Sequence, residues 1–467
     1  MFVGRETELN ALEELYAKNG YTTMVVYGRR RVGKTALLKE FANGKRCVFF
    51  TAVQRNMKAN IARFLAAIPA EHRPMTVNPG FEDLLGAVGR MADGGRTVLI
   101  IDEFPYLAQT DPSITSRFQA YIGDELEAKD IMIIVCGSSM AAMLNGVLSS
   151  KSPLFGRRTS QLKVEPMDYA QSALLLDGFD NDQKFRIYSM VGGIPMYLRM
   201  FDSSKSLDEN VTELFLRPQG YMRQEPSMLL QMEMRDPAVY SDILSALANG
   251  RGRLSEIATY ADVESSTASI KLSELMFLGL VDKVTPFGEK PGKKTRYVLG
   301  DNLLRFHYAF IDDTDVPYTE EEVQTFLRYI DGGIRTYLGR TFEGVCRRYC
   351  RRRRGCLKVG TWWGTGPGSK VTEEIDIVGS EMPDGSGWLL FAECKYRTRP
   401  MGTDELETLV RRSSYVDCKE RRYALFSASG FEDELRERAE DEGVTLVTLD
   451  DLYSGGFRGG PPSESTN

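Results

Sequence analysis

The sequence predicts an α/β chain with a parallel sheet near its amino-terminal end, a small helical module and a second α/β domain near its carboxyl-terminal end. Three observations carry this prediction. An apolar strand, a glycine-rich loop and a helix follow one another at residues 22–41. Three helical patterns and a hairpin occupy residues 236–299, and a hairpin with alternating acids occupies residues 374–396. Strands and helices leave different apolar periods in a sequence, two and about 3.6 residues, which separates these segments.

The glycine-rich loop at residues 28–35 reads GRRRVGKT and fits the pattern GxxxxGK[ST]. A loop of this kind between a strand and a helix directs backbone N–H groups and the positive helix end at a polyphosphate. The sequence therefore predicts a P-loop NTPase fold that binds ATP. We expect Lys34 to reach the β- and γ-phosphates and the Thr35 hydroxyl to help hold Mg²⁺. The other expected phosphate-binding residues are Gly28, Arg29, Arg30, Arg31, Val32 and Gly33.

A second apolar strand, at residues 97–102, ends in two acids, as in the Walker B pattern. Asp102 is expected to hold Mg²⁺, and Glu103 to polarise the attacking water, which predicts hydrolysis as well as binding. Ser138 follows another apolar run at residues 131–136. It is either a sensor of the γ-phosphate or part of a plain strand-to-loop turn.

Length and composition predict a multidomain protein. The chain has 467 residues, a net charge of −6 and seven scattered cysteines. The charge argues against a uniformly cationic nucleic-acid coat but leaves room for a local basic surface. We expect a cytoplasmic protein with no membrane segment, because no apolar run reaches transmembrane length and no signal sequence is evident. Cys346, Cys350 and Cys356 lack the further ligands that a zinc site requires.

Several motifs in the first half occur in the order found in one ATPase group. They are FVGRETEL at 2–9, the P-loop, DEFPYL at 102–107, GSS at 137–139, PLFGRRT at 153–159 and GGIPMYL at 192–198. This half, about residues 1–230, resembles the AAA+/STAND-type ATPases, specifically their archaeal group. The resemblance implies a helical lid after the parallel sheet, and Val3 and Gly4 near the adenine. It also implies that Arg157 or Arg158 contacts the γ-phosphate within one chain or across a homo-oligomer interface; the alternative is two solvated arginines.

The middle of the chain, residues 231–300, resembles the winged helix-turn-helix module that follows the ATPase in this group. The face of its third helix offers Ser265, Ser266, Thr267, Ser269 and Lys271. This set is poor in the arginine and amide side chains that read base edges. Sequence-specific reading is therefore doubtful, and both a protein contact and a weak DNA contact stay open. Residues 301–330 are read as a connector.

The last predicted domain, residues 331–453, carries acids and a lysine in a suggestive order. Glu343 precedes an arginine run on a helix, Asp376 lies on a strand, and Glu393 and Lys395 share one face of the next strand. Two carboxylates can bind Mg²⁺ while a lysine positions or deprotonates a water that attacks phosphate. The order resembles the PD-(D/E)XK restriction-endonuclease-like domain, although an isoleucine precedes Asp376 where that signature has proline.

That resemblance implies that Asp376 and Glu393 are metal ligands, that Lys395 supports the nucleophile and that Glu343 is an additional acid, with Glu374 as a secondary candidate. The arginine run either binds a phosphate backbone or forms a solvated helix face. Trp362 and Trp363 either stack on bases or pack under the hairpin. Residues 454–467 are expected to be a disordered tail.

Together these patterns predict an ATP-hydrolysing, Mg²⁺-dependent DNA-processing protein in which the nucleotide gates the carboxyl-terminal domain. The alternative is a signalling or scaffold ATPase whose last domain is a catalytically silent binding module.

Overall fold

The computed structural model describes residues 2–139, 143, 159–234, 236–312, 314–366, 371–385 and 387–454. The chain divides into two compact units. The first comprises residues 1–175 and 193–199, and the second comprises residues 176–192 and 200–467. No helix among the described residues is both long enough and apolar enough to cross a membrane.

A five-stranded parallel sheet forms the centre of the first unit, with strand order β2-β3-β4-β1-β5. Its strands are Thr22–Tyr27 (β1), Cys47–Thr51 (β2), Thr97–Asp102 (β3), Ile131–Gly137 (β4) and Ser160–Lys163 (β5). Every residue of β3 and β4 is buried. Continuous burial is expected when helices cover both faces of a parallel sheet. The parallel α/β sheet predicted from the sequence is confirmed, and the predicted strand at residues 22–27 has the predicted bounds.

The helices of the first unit connect these strands. They are Glu6–Tyr16 (α1), Lys34–Ala42 (α2), Met57–Ala67 (α3), Phe81–Ala92 (α4), Phe104–Thr110 (α5), Ile114–Tyr121 (α6), Tyr169–Ala173 (α7) and Pro195–Leu198 (α9). One large apolar cluster lies between α3, α4, α5, α6 and the sheet, with stacked rings of Phe50 and Phe64 at its centre. Residues 153–158, including Arg157 and Arg158, lie outside the described residues, so the predicted arginine contact stays a prediction.

The second unit begins with a helical layer. Its helices before the last domain are Asn181–Val191 (α8), Leu207–Val211 (α10), Tyr221–Glu233 (α11), Pro237–Ala248 (α12), Leu254–Tyr260 (α13), Ser265–Phe277 (α14), Asn302–Phe310 (α15) and Glu320–Arg353 (α16). An antiparallel pair, Val281–Val284 (β6) and Arg296–Leu299 (β7), follows α14. The three helices and the hairpin predicted in this region are all present, and Ile257, Ala258, Ala268, Leu272 and Leu275 are buried as expected.

Helix α16 is 34 residues long and begins inside the segment that the sequence suggested as a connector. Thr319 caps its amino-terminal end, since its side chain accepts a hydrogen bond from Glu322 N and the Glu322 carboxylate accepts one from Thr319 N. Acids occupy its first turn and arginines its last, which suits the helix dipole. The helix therefore carries the chain continuously into the last domain.

A mixed five-stranded sheet with strand order β12-β11-β10-β9-β8 organises the rest of the second unit. Its strands are Lys358–Thr365 (β8), Thr372–Ser380 (β9), Trp388–Lys395 (β10), Glu420–Ser427 (β11) and Thr445–Thr448 (β12). Strands β8, β9 and β10 pair antiparallel, whereas β10, β11 and β12 pair parallel. Helices Thr403–Ser413 (α17), Asp433–Glu442 (α18) and Leu449–Ser454 (α19) complete the unit.

Candidate functional sites

The glycine-rich loop joins β1 to α2 with two special backbone positions. Gly28 has φ +158°, and a Cβ there would lie 2.3 Å from the carbonyl oxygen of Val164. Gly33 has φ +95° at the start of α2, a conformation that favours glycine. The Lys34 ammonium donates hydrogen bonds to the carbonyls of Gly28 and Arg29, each 2.8 Å long. These contacts place the lysine over the loop that precedes the helix amino terminus, as phosphate binding requires.

The two predicted magnesium ligands of the first unit are in direct contact. Thr35 Oγ1 donates a 2.8 Å hydrogen bond to Asp102 Oδ2, which brings the start of α2 against the end of β3. Asp102 is buried. A hydroxyl and a carboxylate are the oxygen ligands that Mg²⁺ uses beside a nucleotide phosphate, so these residues fit that ion.

Glu103 is the residue predicted to polarise the attacking water. Its φ is +55°, a value that is rare outside glycine and is found at functional sites. Its carboxylate accepts a 3.2 Å hydrogen bond from the Ser138 amide at the end of β4. Ser138 Oγ is buried, and among the described residues it has no hydrogen-bond partner. Its role as a phosphate sensor, like the alternative of a plain turn, stays a prediction.

The amino-terminal segment 2–5 reaches the phosphate loop through a residue that the sequence prediction missed. Arg5 is 3% exposed, and its guanidinium donates hydrogen bonds to the carbonyls of Val32 at 2.9 Å and Glu165 at 2.8 Å. It also contacts Glu8 at 2.6 Å. Only the place of Arg5 within the FVGRETEL motif hinted at a role, because its two carbonyl partners are distant in sequence.

Gly4, expected near the adenine, has φ +71° and packs against the start of α7. Its carbonyl accepts a 2.8 Å hydrogen bond from Gln171 Nε2. A Cβ on Gly4 would lie 3.4 to 3.5 Å from Gln171, Leu174 and Met167. Val3 beside it is half-buried. These two residues thus lie in a largely apolar recess, and their adenine contact stays a prediction.

The segment Gly193–Arg199 returns to the first unit and packs on the phosphate loop. A Cβ on Gly33 would lie 3.9 Å from Pro195, and the Arg31 guanidinium lies 6.0 Å from the ring centroid of Tyr197. Arg31 itself has φ +69°. Arg31 therefore lies within cation–π range of Tyr197 in the GGIPMYL motif.

The second predicted site lies where β9 and β10 pair. The register sets Ala392 opposite Ile377, so the next residues along, Glu393 and Asp376, face each other across the pair. Asp376 Oδ2 accepts a 2.8 Å hydrogen bond from the Cys394 amide, and Lys395 Nζ lies 2.5 Å from Glu393 Oε1. The structure thus brings together the three residues that the sequence singled out.

Burial and neighbouring acids shape the titration of this group. Desolvation, together with the charges of Glu393 and Glu343, raises the pKa of Asp376 to about 8. Desolvation lowers the pKa of Lys395, but the adjacent carboxylates of Glu393 and Asp376 more than offset this, so the net pKa is raised. The adjacent carboxylates thus favour the ammonium form of Lys395, and the choice between positioning and deprotonating a water stays a prediction.

Glu343 approaches this group from α16. Burial raises the pKa of its carboxyl, and its Oε2 lies 3.5 Å from the guanidinium of Arg347. Arg347 also donates a 3.3 Å hydrogen bond to the Asp376 carbonyl. Within the described ranges, no group of three or more histidine, cysteine, aspartate or glutamate side chains is close enough to hold a metal. The structure thus offers a pair of carboxylates, and Glu343 as a third ligand stays a prediction.

The pair still fits Mg²⁺, which proteins often bind through one or two carboxylates plus substrate phosphate. Glu393 is buried, and its Oε2 has no hydrogen-bond partner among the described residues.

Arg412 is a second residue near this site that the sequence prediction missed. Arg412 of α17 donates a 3.0 Å hydrogen bond to Glu373 and lies 3.8 Å from Glu393 Oε2. Because Arg412 comes from a later helix, no local pattern could have revealed it.

Comparison with known proteins identifies the family to which the chain belongs. A family model described as an ATPase domain predominantly from Archaea matches residues 2–201. A second, described as archaeal and bacterial proteins of unknown function, matches residues 307–408. The uncharacterized protein MJECL04 of Methanocaldococcus jannaschii is 30% identical over 407 residues, covering 85% of this chain and 88% of its own length. The chain belongs to this archaeal P-loop ATPase family.

Two further likenesses agree with that assignment. The uncharacterized ATP-binding protein MJ0423 of the same organism is 48% identical over 46 residues, which are 10% of this ATPase and 78% of that protein. The Walker-type ATPase PABY2304 of Pyrococcus abyssi has a TM-score of 0.52 at 19% identity, covering 66% of this ATPase and 96% of that chain. The second likeness concerns the fold alone.

Proposed function

We propose that this P-loop ATPase couples Mg²⁺-dependent ATP hydrolysis to Mg²⁺-dependent DNA cleavage at Asp376, Glu393 and Lys395. Under this proposal the first unit is AAA+/STAND-like, the helices α12–α14 with β6 and β7 form a winged helix, and the last sheet has a PD-(D/E)XK nuclease-like fold. The protein would work in the cytoplasm and form homo-oligomers through the ATPase portion, consistent with Arg157 or Arg158 acting across an interface.

The ATPase half of the proposal rests on the contact between Thr35 and Asp102 beside Glu103. Lys34, the loop amides and the start of α2 would bind the phosphates. Bound Mg²⁺ would supply charge neutralisation on the phosphates. Glu103, held by the Ser138 amide, is positioned to orient and deprotonate the attacking water.

One observation carries the nuclease half: Asp376 and Glu393 face each other across a strand pair, with the Lys395 ammonium against Glu393. Bound Mg²⁺ would supply Lewis-acid polarisation of a phosphodiester. The Asp376 and Glu393 carboxylates would hold it, and the Cys394 amide would orient Asp376. Lys395 would orient the water that attacks phosphorus. The P–O bond to the leaving 3′ or 5′ oxygen would break as the new one forms, the attacking water would lose a proton to solvent, and the leaving oxygen would take up a proton from solvent.

The competing candidate is a signalling or scaffold ATPase with a silent last domain. A specific observation favours it: the described residues hold only a carboxylate pair, and no larger group of metal-binding side chains. A pair of acids beside a lysine can also be a simple ion-pair network in a sheet.

Cleavage assays separate the two candidates. The full chain is incubated with single-stranded, duplex and branched DNA in Mn²⁺ or Mg²⁺, beside Lys395→Ala and the matched control Lys419→Ala, whose lysine is exposed elsewhere in the second unit. We expect cleavage by the wild type and the control and its loss in Lys395→Ala. Absence of cleavage by the wild type on every substrate, with ATP hydrolysis intact, would transfer support to the scaffold candidate.

A further inference from the structure

The edge strand β8 is covered by two positively charged segments. An open edge strand offers unpaired N–H and C=O groups, which proteins usually cover. The Thr361 carbonyl accepts a 2.9 Å hydrogen bond from the amide of Phe287, in the loop between β6 and β7. The Val359 carbonyl, two residues earlier, accepts a 3.4 Å hydrogen bond from Arg351 of α16. The β6–β7 loop and the end of α16 therefore meet at one edge of the last sheet.

The β6–β7 loop is anchored there by more than one hydrogen bond. The Phe287 side chain is buried in the apolar cluster of the last sheet, together with Leu389 and Phe391. Lys358 Nζ lies 5.2 Å from the Phe287 ring centroid, within cation–π range. The guanidinium of Arg296, the first residue of β7, lies 5.3 Å from the ring centroid of Trp363 on β8. The β6–β7 loop is thus attached to β8 at Phe287.

We call the resulting surface the basic face. It consists of Lys290, Lys293, Arg351, Arg352, Arg353 and Lys358. All six are exposed except Lys358, which is partly buried. Glu289, an acid within this loop, is paired with Lys294 at 2.6 Å. Since the whole chain carries a net charge of −6, this positive cluster is a local feature and not a consequence of composition.

Thr361 links the basic face to the carboxylate pair. Its carbonyl holds the β6–β7 loop, and its hydroxyl donates a 3.1 Å hydrogen bond to the Asp376 carbonyl. Arg347 donates to both Thr361 Oγ1 and the Asp376 carbonyl. Thr361 therefore contacts both the loop that carries Lys290 and Lys293 and the backbone of Asp376.

We propose that the basic face binds the phosphate backbone of duplex DNA and leads it to Asp376, Glu393 and Lys395. This inference rests on the proposed function for the cleavage site, but the binding surface is a separate claim. It assigns backbone contact to the β6–β7 loop, β8 and the end of α16, and not to the third helix of the proposed winged helix.

The third helix of the proposed winged helix, α14, is a poorer candidate than the basic face for contact with the DNA backbone. Lys271 on this helix donates a 2.9 Å hydrogen bond to the Tyr240 hydroxyl, and its Nζ lies 3.8 Å from Glu274 Oε2. The side chain of Ile270 is 61% exposed on this helix. A surface with an apolar residue, an acid and an engaged lysine attracts phosphate weakly.

Duplex DNA is favoured over single-stranded DNA because the two tryptophan side chains of β8 pack against other side chains of the protein. Proteins that hold single strands usually stack exposed aromatic rings on the bases. Trp363 is 9% exposed and lies under Arg296. Trp362 is partly buried, and its ring centroid lies 6.2 Å from that of Tyr415. The packing alternative for both tryptophans is thus the one observed, and backbone contact remains as the binding mode.

The test measures binding without cleavage. Fluorescence anisotropy of the full chain with a labelled DNA duplex is recorded in EDTA across a series of salt concentrations. The variant is Lys290→Ala/Lys293→Ala, in an exposed loop where folding is not at stake. The matched control is Lys58→Ala/Lys419→Ala, which removes the same charge from exposed positions outside the basic face.

We expect the loop variant to reduce the slope of log K against log salt by about 2, because each lost phosphate contact removes about 0.9. The control should leave the slope unchanged. Equal slopes in the loop variant and the control would overturn the proposal, as would tighter binding to single-stranded DNA, to duplex RNA or to an acidic protein than to duplex DNA. Duplex binding through this face without cleavage in Mg²⁺ would leave the surface standing and refute the nuclease half of the proposed function.

Discussion

Thr35 Oγ1 donates a 2.8 Å hydrogen bond to Asp102 Oδ2. This contact joins the phosphate loop to the end of β3, two strands away from β1 in the sheet order. Both residues were expected to help hold Mg²⁺, and the fold brings their oxygens together before any ligand is considered. Under the proposed function, Asp102 would help hold the metal and Glu103 would act on the attacking water.

The first prediction concerns Glu103→Gln. The amide keeps the size of the side chain but cannot take a proton, so ATP hydrolysis should fall by about 10²-fold or more while ATP affinity is kept. Phosphate release measures the first quantity, and binding of a fluorescent ATP analogue measures the second. Lys34→Ala serves as the contrast, since it should lose affinity. Hydrolysis by Glu103→Gln at the wild-type rate would show that another residue orients the water.

The second prediction concerns Arg5. Arg5→Ala removes charged hydrogen bonds to the Val32 and Glu165 carbonyls and leaves both carbonyls without that donor. We expect a loss on the order of 3 kcal/mol in the free energy of unfolding and weaker ATP binding, because Val32 belongs to the phosphate loop. Thermal unfolding and nucleotide titration test this. The exposed Arg55→Ala in the same unit is the control; an equal, small effect of both variants would refute the positioning role.

The third prediction concerns the return of the chain at Gly193. A Cβ there would lie 1.6 Å from the carbonyl oxygen of Met167, and the Met167 amide donates a 2.8 Å hydrogen bond to the Gly193 carbonyl. The atoms that would clash belong to the Met167 backbone, which cannot move aside as a side chain can. Gly193→Ala should therefore lower the free energy of unfolding by more than about 3 kcal/mol and abolish ATPase activity. Gly339→Ala in α16, where a Cβ meets nothing within 4 Å, should instead stabilise by up to about 1 kcal/mol. A well-folded, active Gly193→Ala would contradict the packing described for this segment.

The fourth prediction concerns the pH dependence of stability at Asp376. Its pKa is raised to about 8 in the folded state, against about 4 in an unfolded chain. The folded state therefore binds the proton more tightly, and stability falls as pH rises from about 4 to 8. Asp376→Asn, which retains an acceptor for the Cys394 amide, removes this dependence.

Without divalent metal, Asp376→Asn should melt at a higher temperature than the wild type at pH 8.5, and the difference should shrink as the pH falls toward about 4. Mn²⁺ should raise the melting temperature of the wild type only. Differential scanning fluorimetry at several pH values, with EDTA or Mn²⁺, gives the comparison. A wild type that is more stable than the variant at pH 8.5 in EDTA would contradict the raised pKa.

The sequence predicted those parts of the sites that depend on local pattern. The phosphate loop, β1 and the acids at the end of β3 each lie within one strand–loop–helix segment, where apolar runs and glycines are informative. Asp376, Glu393 and Lys395 were predictable because the alternation of a hairpin fixes which residues share a face. The register then brought them together as expected.

Other features depend on contacts that sequence spacing does not encode. Arg5 meets a carbonyl 160 residues away, and Arg412 reaches Glu393 from a helix beyond the strand pair. Lys395 was expected to position or deprotonate a water. The carboxylates around it favour its charged form, an effect that depends on three-dimensional electrostatics. The anchoring of Phe287 on β8 likewise follows from tertiary packing.

The most direct test of the central claim measures DNA cleavage in Mn²⁺ with and without ATP, for the wild type, Lys34→Ala and Lys395→Ala. A coupled protein should cleave at a rate that changes on adding ATP, should lose that response but keep cleavage in Lys34→Ala, and should lose cleavage in Lys395→Ala. Normal ATP hydrolysis with no metal-dependent cleavage in any nucleotide condition would contradict the account and identify the last domain as a binding module.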